Sequence, residues 1–113
     1  MELYEQIEGK SRELTVAIKR LSETGTALAE AERDYKMSLS KKSLELKDGG
    51  MAVTLIDKVV YGLREVADLR FKRDVAEAIY SANQEFINVT KLQLRLLENQ
   101  YEREWGDVSN SEK

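Results

Sequence analysis

The sequence predicts an all-α protein: a long antiparallel helical hairpin, two long helices with a short helix near the tip, assembling into a homo-oligomeric helix bundle. Three observations predict it. Apolar residues recur every seven positions through most of the 113 residues. Proline is absent, so only glycine and local polar chemistry can break a helix. One Gly-Gly break, at Asp48-Gly49-Gly50, divides the chain.

The first helix is expected over residues 2–47. Ile7, Leu14, Leu21, Leu28 and Tyr35 form one row, and Ile18, Gly25, Leu39 and Leu46 a second, which Glu32 interrupts. Ala17 and Ala31 fill a third. Gly25 inside the stripe costs about 1 kcal/mol relative to alanine. It marks either a mild bend or a close approach to a large side chain. Lys47 complements the helix dipole in the last turn, and Gly49 or Gly50 can supply a left-handed C-terminal cap.

Beyond the break, Thr54 reads as an N-cap with Asp57 three residues on, and a short helix is expected over 55–61, ended or kinked by Gly62. The last helix is expected over 63–105. Val66, Arg73, Tyr80, Ile87, Leu94 and Tyr101 make one row, and Leu69, Ala76, Asn83, Thr90 and Leu97 its neighbour. Ile79 and Phe86 widen the stripe on one side, and Val75, Ala82, Val89 and Leu96 on the other. Gly106 is expected to end this helix. Residues 1–106 then form a single helical domain, and 107–113 a disordered tail.

Helices of about 43 residues would each be roughly 65 Å long at about 1.5 Å per residue, a rod rather than a globule. Each helix of such a rod covers one narrow seam of the other, and the last helix is apolar well beyond one seam. A second copy is the expected cover. With Lys47 and Leu63 flanking the tip, facing residue numbers sum to about 110, as expected for an antiparallel hairpin. That register sets Gly25 against Glu85 and Phe86, and Asn83 near Ala27 and Leu28. Asn83 and Thr90, polar in an apolar row, read as residues that fix register or oligomer state. Tyr101 and Trp105 read as a cap on the bundle or as an anchor for a partner.

Composition excludes several classes of chemistry. There is no cysteine and no histidine, so disulfides, thiolate metal sites and the commonest general base are missing. Gly49-Gly50-Met51-Ala52-Val53-Thr54 lacks the Gly-Lys-Ser/Thr of a phosphate-binding loop. A non-enzymatic protein without cofactors is expected. No apolar run is long enough to span a membrane and the first residues are not signal-like, so a cytoplasmic protein is expected. The net charge of −3 argues against a uniformly basic nucleic-acid binder.

The basic residues beside the tip are the candidate site. Lys36, Lys41, Lys42, Arg70, Lys72 and Arg73 converge there in the expected register. Arg73 falls in the apolar row itself. It must either pair across the hairpin with Glu32 or Asp34 or line a cavity, because an unpaired buried charge is too costly. In the second case Lys41, Lys42, Arg70 and Arg73 would grip an anion or nucleotide, and Tyr35, Tyr61 or Tyr80 would stack on a base.

Several segments resemble small helical proteins of unassigned function encoded by phages and prophages of Gram-positive bacteria. They are Leu44-Glu45-Leu46-Lys47, Gly50-Met51-Ala52-Val53-Thr54, Val66-Ala67, Arg73-Asp74-Val75-Ala76-Glu77, Lys91-Leu92-Gln93-Leu94-Arg95-Leu96-Leu97-Glu98 and Arg103-Glu104-Trp105. The resemblance covers residues 44–105, and Ala52 stands where the pattern has proline. It implies a phage accessory protein acting in the host cytoplasm. Without catalytic groups, such a protein is expected to act by stoichiometric binding: a homo-oligomer that counteracts host antiviral defence by sequestering a nucleotide signal or binding a host protein. The alternative is an accessory or scaffold factor in phage DNA replication or recombination, and a third reading is a purely structural coiled-coil module.

Overall fold

The computed structural model describes residues 2–111, with side chains described through residue 106. The chain is all-helical among these residues: α1 spans Glu2–Asp48, α2 Val53–Val59, a 3-10 turn Val60–Gly62, and α3 Arg64–Ser111. No helix among them is long and apolar enough to cross a membrane. α3 continues through Gly106 rather than ending there. An internal glycine costs a helix about 1 kcal/mol but does not by itself end it. The tail expected at 107–113 lies outside the residues whose side chains are described.

The contacts divide the chain into two units, one of Met1–Ser22 with Ala82–Lys113, the other Glu23–Ser81. α1 and α3 pass through both, antiparallel in each.

The Glu23–Ser81 unit contains the tip. α1 ends there in a Schellman arrangement. Gly50 takes φ +91, its N–H donates to the Lys47 carbonyl at 3.0 Å, and the Met51 N–H donates to the Leu46 carbonyl at 3.1 Å. Leu46 and Met51, brought together by this cap, both pack against a core of Tyr35, Ile56, Val60 and Val66. Leu39, Leu63 and Leu69 complete it.

α2 starts earlier than Thr54 predicts. Its N-cap is Ala52, which has no capping side chain. The Ala52 carbonyl accepts from the N–H groups of Leu55 and Ile56 at 2.9 and 3.0 Å. This start turns Ile56 into the core and leaves Thr54 exposed. Ala52 has φ −63, the value a proline ring imposes, so alanine here keeps the geometry that proline would give. The 3-10 turn then places Val60 inside, and Leu63, extended at φ −66 and ψ 135, leads into α3. Leu63 accepts the first helical bond, from the Ala67 N–H at 2.8 Å.

Ser38 is buried in the same unit, and its hydroxyl has no hydrogen-bond partner. An unmade bond of this kind costs about 1–3 kcal/mol, and a mid-helix serine also has poorer helix propensity than alanine. Ser38→Ala is therefore expected to raise stability by about 1 kcal/mol or more, read as a higher urea midpoint at unchanged slope.

In the other unit the seam holds Ala17, Ile87 and Thr90, all buried. The Asn83 side-chain amide donates to the Ala17 carbonyl at 3.1 Å, which ties α3 to α1 at one level. Thr90 is satisfied within its own helix, donating to the Phe86 carbonyl at 2.7 Å. Ile18, expected in the apolar stripe, is half exposed, whereas Ala17, expected there too, is buried. Tyr101 lies between Tyr4, in a tilted contact, and Trp105, edge-on, with centroids 6.4 and 5.9 Å apart. The Tyr4 hydroxyl is held above its usual pKa by its hydrogen bond to Glu8.

The register differs from the expected one in both units. Gly25 faces Tyr80, whose ring would lie 3.4 Å from an added Cβ, and not Glu85 or Phe86. Asn83 meets Ala17, and not Ala27 or Leu28. The expected small-against-large contact at Gly25 exists, with a different large residue.

Candidate functional site

The six candidate residues all lie in the Glu23–Ser81 unit, and each has its own setting. Arg73 is three-quarters covered. Its Nη2 lies 2.8 Å from Asp74 Oδ1 and its Nε at 3.1 Å, while its guanidinium sits 4.7 Å over the Tyr35 ring. The hydrogen bond to Asp74 holds the Arg73 proton more firmly than usual, against the opposing effect of partial burial. The partner is thus the adjacent residue, with an aromatic face beneath. The acids expected to reach across the hairpin are taken up locally: Asp34 accepts from Arg33 at 3.1 Å, and Glu32 from Lys36 at 3.2 Å.

Lys42 is held between Glu45 at 3.2 Å and Glu65 at 3.3 Å. Its pKa is raised, chiefly by the hydrogen bonds to Glu45 and then Glu65. It therefore stays charged to higher pH than a free lysine. Tyr80 packs against Gly25. Arg70 lies 5.7 Å over the Tyr61 ring, and both residues are exposed. This is the one cation and aromatic of the expected set that the fold brings together on the surface. Lys41 is exposed on α1.

Helical position explains why these residues do not share one face. With Val66 and Leu28 each placed at heptad position a, Arg70 falls at e, whereas Lys72 and Lys41 fall at g. In an antiparallel pair, e and g lie on opposite flanks of the seam. The basic residues beside the tip are divided by the seam.

The g flank of this unit carries a groove of about 250 Å³, lined by Glu23, Thr24 and Ala27 of α1 and Lys72, Val75, Ala76 and Ile79 of α3. Its floor is apolar, with Glu23 and Lys72 as the charged groups on its walls. In the other unit a second concavity, of about 440 Å³, is lined by Glu2, Leu3, Gln6, Gln100 and Glu104. None of the six candidate residues lines either. Among the described residues no group of three or more Asp or Glu side chains is placed to hold a metal ion.

The sequence expectation misplaced one surface. At about 100° per residue, rows c (Val75, Ala82, Val89, Leu96) and g (Ile79, Phe86) are neighbours on the same side of α3 and do not flank the seam from opposite sides. Phe71 and Leu92, at position f, adjoin row c. Val75, Ile79 and Phe71 in one unit, and Phe86, Val89, Leu92 and Leu96 in the other, are 42–69% exposed. The seven-residue spacing of row c was the signal that could have shown this. Comparison of the chain with protein-family models, with curated proteins and with solved structures finds no match.

Proposed function

We propose that the chain is a non-enzymatic, homo-oligomeric binding protein, phage-encoded and directed against a host antiviral defence, which captures a nucleotide signal or a host protein stoichiometrically. One observation carries the self-association in this reading: in each unit, large apolar side chains stand exposed on one side of α3. The absence of cysteine and histidine supports binding over turnover. The resemblance of residues 44–105 to small phage proteins supports the biological setting.

Arg70 over Tyr61 favours the nucleotide branch. An exposed guanidinium beside an aromatic face can hold a phosphate and a base together. Lys42 and Arg73, already engaged with carboxylates, offer less. The placement of Arg70 and Lys41 on opposite flanks suits a small ligand better than the continuous basic track that DNA requires.

Thermal melting with mono-, di- and cyclic nucleotides tests this. At about a hundredfold excess over Kd a ligand adds roughly 2.7 kcal/mol, a rise on the order of 10 °C for a chain of this size. Arg70→Ala is expected to abolish the rise while leaving the ligand-free melting temperature within a few degrees, since Arg70 is exposed. A melting temperature that no nucleotide moves would remove the nucleotide branch and leave capture of a protein.

A further inference from the structure

We propose that the surface of assembly is the f, c and g face of α3, and that its occupant is the same face of a second copy. This rests on the oligomeric reading above and specifies where the copies meet. Three arguments support it.

The first is pattern. α3 uses its a and d rows against α1 in both units. Rows c and g repeat with the same seven-residue spacing and are centred roughly 110° around the helix from the a/d seam. A repeat of that period is complementary to another helix running alongside, not to a loop or a flat sheet. Two seams roughly at right angles are what each helix of a four-helix bundle presents to its two neighbours.

The second is charge. From Val75 to Leu96, rows c and g contain Val75, Ile79, Ala82, Phe86, Val89, Gln93 and Leu96, with no charged residue. Row f adds one acid, Glu85, at the edge of the face, so rows c and g can meet their own copy with little like-charge repulsion. The corresponding rows of α1 carry Arg20, Glu23, Glu30, Asp34 and Lys41. Of the two long helices, α3 is therefore the one that offers an apolar match to α3 among the described residues. Gln93, the polar member, can bond to a polar group of the partner, as a single seam amide does when it fixes register.

The third is area. The seven large side chains at f, c and g are 42–69% exposed. At roughly 150–200 Å² each when fully open, the three in the Glu23–Ser81 unit present on the order of 300 Å² and the four in the other unit on the order of 350 Å², each a substantial part of the about 800 Å² per partner of a standard stable interface. The apolar groove on the g flank, between Ala27 and Val75, Ala76 and Ile79, adds to this surface.

The test combines sedimentation equilibrium with thiol protection. The wild-type chain is expected to sediment as a multiple of 13.0 kDa at micromolar concentration. Phe86→Glu with Val89→Glu is expected to reduce it to a single chain of unchanged helicity, both sites being exposed in the isolated chain. Val16→Glu with Met37→Glu on α1 should leave the multiple intact. The chain has no cysteine, so Val89→Cys and Met37→Cys each introduce one thiol. Alkylation at 89 is expected to be at least tenfold slower than at 37 in the assembled protein and similar after dilution. If the wild type is a multiple but the α3 variant remains one, and the thiol at 89 reacts as fast as that at 37, the copies meet elsewhere and the proposal fails while the oligomeric reading stands. A wild type of 13.0 kDa would overturn both.

Discussion

Replacing Tyr35 by alanine is expected to lower stability by about 3–5 kcal/mol, the range for removing a large aromatic side chain from a packed core. Tyr35 is buried with Ile56, Val60 and Val66, and it is the ring on which the Arg73 guanidinium rests. Its removal opens a cavity in the core that joins α1, the tip and α3, and leaves Arg73 with Asp74 alone. The urea midpoint should fall with little change in slope, measured at one fixed protein concentration because assembly adds to apparent stability. Tyr35→Phe keeps the ring and should retain most of the stability. A loss below about 1 kcal/mol for the alanine variant would mean that this core does not hold the tip in place.

Gly50→Val is expected to cost about 2 kcal/mol or more. Gly50 sits at φ +91, where a β-branched side chain is strained whatever the surrounding space. The cap that fixes Met51 over Leu46 depends on this conformation. Gly49 provides the control. Its φ is not in the left-handed region, and a Cβ there would meet the Glu45 and Leu46 carbonyl oxygens at an ordinary 3.5 Å. Gly49→Ala should therefore stay within about 0.5 kcal/mol of wild type. Equal losses at both positions would contradict the assignment of the cap to Gly50.

The long helices were legible in the sequence because their period is long and nothing interrupts it. The cap at Gly50 was legible because few residues tolerate its conformation. The start of α2 was not. The Thr54-x-x-Asp57 reading assumes that a side chain caps the helix, whereas the Ala52 carbonyl accepts the first bonds and burial of Ile56 sets the phase. The register was missed because it depends on how the tip folds over the hairpin, which no single residue encodes. At the candidate site, the antiparallel register suggested convergence, but Arg70 at e and Lys41 and Lys72 at g lie on opposite flanks of the seam. The partner of Arg73 was its immediate neighbour Asp74, with Tyr35 beneath the guanidinium. The excess of apolar surface on α3 was legible from the number of apolar rows along it. Its concentration on one side followed from counting rows c and g around the helix.

The apolar face of α3 is proposed to make this chain an oligomer. A dilution series of the wild-type protein in sedimentation equilibrium tests it most directly. A mass of two or more times 13.0 kDa is expected at micromolar concentration, falling toward the single chain only on strong dilution. A mass of 13.0 kDa across the whole series would contradict it.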